Sequence, residues 1–247
     1  LLLTPVLGRS VVMLGIVTVI GGLFLALAHP SVNLGIARTT VVHRQGLAYG
    51  FKHGAIPAAT AIAGLGLPIV AIPLGWQWVY VMCAGLALIA VVLVPRSPQA
   101  YEVDRVDTNS DDTPAVRSSP LSLLVVMAIG AGLGIFGMDA LATFLVPYAV
   151  DVGFGEGAAG ILLAAGSVLG IITRIIMGWL IDRRTAGGLA TVATFLALGA
   201  AGIALLATGS DPAVIVGSLV GVTLGWGWSG LFTFAVGRRP PGAPAAA

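Results

Sequence analysis

Seven continuous apolar runs constrain this chain more than any other feature. They cover residues 11–28, 48–72, 76–94, 121–150, 157–181, 188–208 and 213–236. The first extends to residue 37 with only His29 interrupting it. A helix rises about 1.5 Å per residue, so about 20 residues cross a hydrocarbon core of roughly 30 Å. Inside that core no water is present to pair a backbone N–H or C=O. Each run must therefore satisfy its own backbone, which a helix does. The runs are continuous rather than alternating, which excludes a transmembrane β-barrel. Of the 247 residues 57% are hydrophobic and 9% charged, with a mean hydropathy of +1.03, more apolar surface than a soluble core requires. The expected fold is an all-α polytopic membrane protein with seven transmembrane helices.

Residues 96–119 break the pattern with three arginines, five carboxylates and almost no large apolar side chain. Such a stretch cannot bury itself and reads as a solvated linker. It divides the chain into three helices (residues 1–95), the linker, and four helices (residues 120–247). Lys and Arg fall unevenly on the alternate loops. One side carries Arg38, Arg44, Arg96, Arg105, Arg117, Arg183, Arg184, Arg238 and Arg239; the other carries Arg9 alone. Positive loop charge marks the cytoplasmic side, so the linker is expected there.

Several function classes are excluded. The net charge of +2 is too small, and too scattered, for a nucleic-acid partner. The single Cys83 rules out a disulfide framework. No metal-ligand cluster, nucleophilic triad or phosphate loop is present, and the glycines of residues 130–137 include no lysine. No cofactor, no metal and no enzymatic activity are expected. Nothing at the start resembles a secretory signal, and the chain reads as a piece of a longer protein. Eleven arginines against one lysine suggest a GC-rich bacterial coding bias, hence a bacterial plasma (inner) membrane.

The most informative run ends GSVLGIITRIIMGWLIDRR, residues 166–184. Gly166, Gly170 and Gly178 recur at helical spacing, and glycines on one face let a neighbouring helix approach closely in lipid. Arg174 lies about 12 Å along the axis from Asp182, well inside the bilayer, where it must face protein or a water-filled cavity. Similar small-residue positions are Gly64 and Pro68 in the second run, and Gly217, Gly221 and Gly225 in the last.

Gly178, Asp182 and Arg183, with Arg184 beyond, resemble the G-x-x-x-D-R loop between the second and third helix of each half in the major facilitator superfamily of secondary transporters. Two further stretches are similar to that family's fifth and sixth helices. One is Arg44-Gln-Gly-Leu-Ala-Tyr-Gly50 with Ala63-Gly-Leu-Gly-Leu-Pro68; the other is Gly75-Trp-Gln-Trp78. The resemblance implies two six-helix halves joined by a cytoplasmic linker. Residues 1–95 then correspond to family helices four to six and residues 120–247 to helices seven to ten, a truncated bundle of three plus four. It further implies a monomer in a lipid bilayer that moves a small solute by alternating access as a proton-coupled secondary transporter. The 247 residues alone are expected not to transport. A non-transporting membrane fragment is one alternative. A membrane-embedded enzyme is another, for which too few polar groups converge.

Four embedded polar residues are candidates for substrate or proton. Asp139 is either a proton-coupling or substrate-contacting acid, or a carboxylate tied to a neighbouring helix. Arg174 either binds an anionic group through its planar fork, as the resemblance to organic-acid carriers implies, or pairs with Asp139 or backbone carbonyls. Lys52 is either embedded or snorkels to the cytoplasmic surface. His53 either titrates or packs. Lys52 and Arg174 lean toward an anionic substrate, Asp139 toward protons. In the family the Gly178–Arg184 loop acts as a latch on neighbouring helix ends; here the partner is expected at the start of helix eleven, outside the chain. Trp226 and Trp228 are read as packing or as cavity lining. His29 and His43 are assigned no role.

The wiring has a direct check. With Cys83 replaced by serine and a cysteine substituted for Ser110, a membrane-impermeant maleimide is expected to label the protein only after cells are permeabilised. Labelling from outside intact cells contradicts the cytoplasmic linker.

Overall fold

The computed structural model of the chain describes residues 11–93, 121–183 and 188–237. Residues 96–119, with Arg184 and the chain ends, lie outside them. Helix α1 spans Val11–Thr39, and a 3-10 turn at Val42–Arg44 leads into α2, Gln45–Gly66. α2 continues through a π-helical turn, Leu67–Ala71, to Leu74. Then follow α3 (Trp76–Leu93), α4 (Leu121–Asp151), α5 (Glu156–Arg183), α6 (Gly188–Leu206), α7 (Asp211–Gly225) and α8 (Trp228–Gly237). Among the described residues seven stretches are long and apolar enough to cross a membrane, Gln45–Leu74 and Asp211–Ala235 each counting as one. No strand occurs among the described residues.

Local chemistry explains the irregular points. Pro68 has no N–H to give the Gly64 carbonyl, and the helix widens into its π turn there. Three tight connections, α2–α3, α4–α5 and α6–α7, turn on Gly75, Gly153 and Gly209, all with positive φ, a region that costs a glycine nothing. The last apolar run is not the single helix its hydropathy predicts. It breaks at Trp226-Gly227, between α7 and α8. Gly227 lies flat against Phe195 of α6, where an added Cβ would sit 2.5 Å from the ring.

The spine is an antiparallel contact between α2 and α5, which joins the parts of the chain before and after residues 96–119. Gly46 faces Gly178, Gly50 faces Arg174, and Gly64 faces Gly160, so one register holds over about 27 Å. A Cβ at Gly50 would come within 2.6 Å of the Arg174 carbonyl oxygen, and one at Gly64 within 2.7 Å of the Gly160 carbonyl. The two backbones therefore touch, which is how helices gain attraction in a solvent as apolar as their side chains. Pro68 packs on the same seam against Gly160.

A second glycine seam joins α6 and α7: a Cβ at Gly202 would meet the Gly221 nitrogen at 2.6 Å, and one at Gly217 the Gly202 carbonyl at 2.7 Å. Gly225 abuts Gly199 and the Met138 side chain, Gly221 meets Leu141, and Gly166 meets Val222. Leu141, Leu145, Leu163, Leu206, Val214 and Val222 fill the space between α4, α5, α6 and α7. Large side chains such as Phe24, Val92 and Phe136 face outward, as they must where lipid is the solvent.

The α2–α5 spine generates a paired prediction. Gly50→Ala is expected to destabilise the folded protein in detergent by about 1–3 kcal/mol, because the opposing backbone cannot give way. Gly21→Ala, with nothing within 4 Å of its Cβ, is expected to leave the unfolding midpoint unchanged. Equal midpoints for the two variants would remove the contact from the energetics.

Candidate functional site

At one end of the spine α2 lacks a cap of its own. Its N-cap residue, Arg44, makes no side-chain capping bond. The first amides of a helix have no intrahelical acceptor and carry the positive end of the helix dipole. Asp182, at the end of α5, fills this need from 136 residues away: Gly46 N–H donates to Oδ1 and Leu47 N–H to Oδ2, both at 2.8 Å. The acid of the Gly178–Asp182 motif thus has a partner within the chain, at the start of α2. The reason is geometric, since Gly46 and Gly178 bring the backbones close enough for a short carboxylate to reach. Arg183 stacks on Trp179 one turn back, 4.0 Å from its ring centroid, and stays exposed.

About 12 Å deeper lies Arg174, 2% exposed. Nη1 donates to the Gly170 carbonyl at 3.2 Å and Nη2 to the Trp226 carbonyl at 2.5 Å. The guanidinium also lies 5.9 Å from the Trp226 ring centroid. Nε is buried and unpartnered. The break between α7 and α8 exposes the carbonyl that Arg174 uses; Ser229 Oγ donates to it as well, at 3.3 Å. Arg174 does not pair with Asp139. It binds carbonyls, and no carboxylate among the described residues offsets its charge.

At the same depth α2 presents Lys52 and His53. Lys52 Nζ lies 3.2 Å from His29 Nδ1 on α1. An ammonium only donates, so His29 accepts at Nδ1. His53 is 6% exposed, with Nε2 3.3 Å from Thr233 Oγ1 on α8. Thr233 spends its own hydroxyl proton on the Ser229 carbonyl at 3.0 Å. With that proton so placed, the tautomer assigned to His53 carries its hydrogen on Nε2; Nδ1 is buried without a partner. The two imidazoles meet edge to face at 6.5 Å. One turn away Tyr49 donates to the Asn33 carbonyl at 3.3 Å. α1 is thus held to α2 by polar contacts.

Asp139 stands apart. It is exposed on α4 and makes no hydrogen bond or ion pair among the described residues. It lies one turn from Ala142, which lines a void of about 10 Å³ with Pro57, Thr60, Ser167, Val222 and Trp226. A second void of similar size lies between Arg174 and Gly46, Gly50, Gly178 and Gly230. Each is at the lower limit for one water. No group of residues here could hold a metal ion among those described.

Sequence reasoning gave His29 no role and overlooked Thr233 and the Trp226 carbonyl. It also passed over Gly46, Gly50 and Gly54, although their spacing of four carried the same signal as Gly166 and Gly170. Replacing Asp182 by alanine leaves two amides at the start of α2 unpaired. The expected loss is about 1–3 kcal/mol in detergent unfolding, with Asp182→Asn milder. An unchanged midpoint for Asp182→Ala would show that the cap contributes nothing.

Comparison with known proteins places this architecture. Human monocarboxylate transporter 12 is 35% identical over 86 residues, 35% of this chain and 17% of that protein. The rat and mouse proteins of the same name are each 38% identical over 64 residues, 26% of this chain and 13% of theirs. The matched stretches thus span a small part of those relatives. No solved structure matches the chain significantly. The family model described as Major Facilitator Superfamily matches residues 1–247. Seven apolar helices and a match along the whole chain make this a multi-pass integral membrane protein that belongs to the Major Facilitator Superfamily.

Proposed function

We propose that the protein carries a small monocarboxylate anion together with a proton across the membrane by alternating access. The observation that supports this most is Arg174. It is a buried guanidinium with two carbonyl partners, an unpartnered Nε and, among the described residues, no acid bonded to it. A buried cation without a counter-charge is costly, and a planar carboxylate is the ligand its fork fits. Lys52 adds a second cation at the same depth. The name of the mammalian relatives points to the same class of solute.

A proton follows from the charge of the cargo. Driving an anion into a cell that is negative inside costs about 2.3 kcal/mol per 100 mV, and a proton moving with it removes that cost. His29 and His53 in this cluster, and Asp139 apart from it, are groups able to carry one. The closely packed α2–α5 spine supplies a contact about which the parts of the chain on either side of the linker can rock.

The test is uptake of radiolabelled pyruvate and glycerate by the full-length protein in proteoliposomes with a pH gradient. Arg174→Lys keeps the charge but loses the fork, and is expected to cut uptake at least about tenfold while the protein stays folded. The uncharged amide of either acid is expected not to compete. Uptake undiminished in Arg174→Lys, or competition by the amides, contradicts the assignment.

A further inference from the structure

The proposed function leaves open which group holds the proton and why proton and anion travel together. Both questions meet at His53. Its Nε2–H is fixed on Thr233, whose own proton is committed to Ser229, and its Nδ1 is an unpaired acceptor in a buried site. The site is also one-sided in charge. α1 contributes His29, α2 contributes Lys52 and Tyr49, α5 contributes Arg174, and α8 contributes the hydroxyls of Thr233 and Ser229. No described carboxylate is bonded to any of them.

We infer that His53 Nδ1 is the proton-binding atom of this site, and that its proton and the carboxylate held at Arg174 bind as a pair. A proton on Nδ1 adds a third positive charge beside Lys52 and Arg174, with nothing negative to offset it. An arriving carboxylate supplies that offset. The bound anion partly neutralises the two fixed cations, and its negative charge lowers the cost of a third positive charge on His53. Each ligand therefore favours the other, and by linkage the effect is reciprocal. No bond other than N–H forms: the proton comes from water on the open side and returns to water on the far side. Asp139, exposed and more remote from this cluster's hydrogen bonds, is not needed for the step. His29 holds Lys52 in place through Nδ1 and so acts as a positioning residue.

The inference rests on the proposed anion site, and its test separates the two. Purified full-length protein in weakly buffered detergent solution is mixed with pyruvate, and with glycerate. Binding is followed by calorimetry and proton uptake by a pH indicator. The wild type is expected to take up about one proton per carboxylate bound over the pH range where the site is otherwise unprotonated. His53→Gln keeps an amide to donate to Thr233 but has no Nδ1. It is expected to bind carboxylate more weakly, by about 5- to 150-fold, and to take up no proton. Thr233→Val releases the ring and is expected to keep the proton but shift the pH midpoint of its uptake, a readout available even if His53→Gln fails to fold. If neither acid binds the wild type, the anion site falls and this inference with it. If carboxylate binds without a proton, or Thr233→Val leaves the midpoint unmoved, the anion site stands and His53 is overturned. The same holds if Asp139→Asn abolishes proton uptake while His53→Gln retains it.

Discussion

The close approach of α2 and α5 is the constraint on which the other features depend. In lipid, apolar side chains gain nothing by leaving solvent, so helices hold together through close van der Waals contact and hydrogen bonds. Gly46, Gly50 and Gly64 on one side, and Gly160 and Gly178 on the other, remove the side chains that would keep the backbones apart. Two consequences follow from one register. At the membrane surface the gap is short enough for Asp182 to cap α2, and deeper in the same seam Arg174 is sealed from solvent beside His53.

That placement turns a structural contact into a chemical one. A guanidinium exposed to water would be an unremarkable surface charge. Enclosed between α5 and the α7–α8 break, it is bonded to carbonyls, which neutralise nothing, and it retains an unused N–H. The break itself belongs to the same arrangement. Gly227 is pressed on Phe195, the helix interrupts, and the Trp226 carbonyl turns toward Arg174. Latch, cation and broken helix are thus linked through packing at two glycine seams.

Much of this architecture was legible from the residues. Seven spans followed from run length against bilayer thickness, because nothing but a helix satisfies a lipid-embedded backbone. The burial of Arg174 followed from its distance to Asp182. What the residues could not give was pairing across long separations. Asp182 meets Gly46 and Leu47 only because two helices far apart in the chain share a register, and no local pattern records that. Arg174 had two candidate partners, and it bonds the carbonyls, while Asp139 is exposed on α4. The break at Trp226 was hidden by uniform hydropathy, which reports burial in lipid but not where a carbonyl leaves its helix. His29 carried no signal of a role, because its contact with Lys52 joins α1 to α2 across 23 residues.

The α2–α5 register can be measured without any transport assay. Gly54 is the glycine of the seam with room for a side chain, its Cβ position lying 3.7 Å from Cγ2 of Ile171. With Cys83 replaced by serine, cysteines are substituted for Gly54 and Ile171, which face each other across the seam, in the full-length protein. Rapid cross-linking by a mild oxidant in native membranes is the predicted result. Free thiols after prolonged oxidation would mean that α2 and α5 do not meet in this register, and the placement of Asp182, Arg174 and His53 would fail with it.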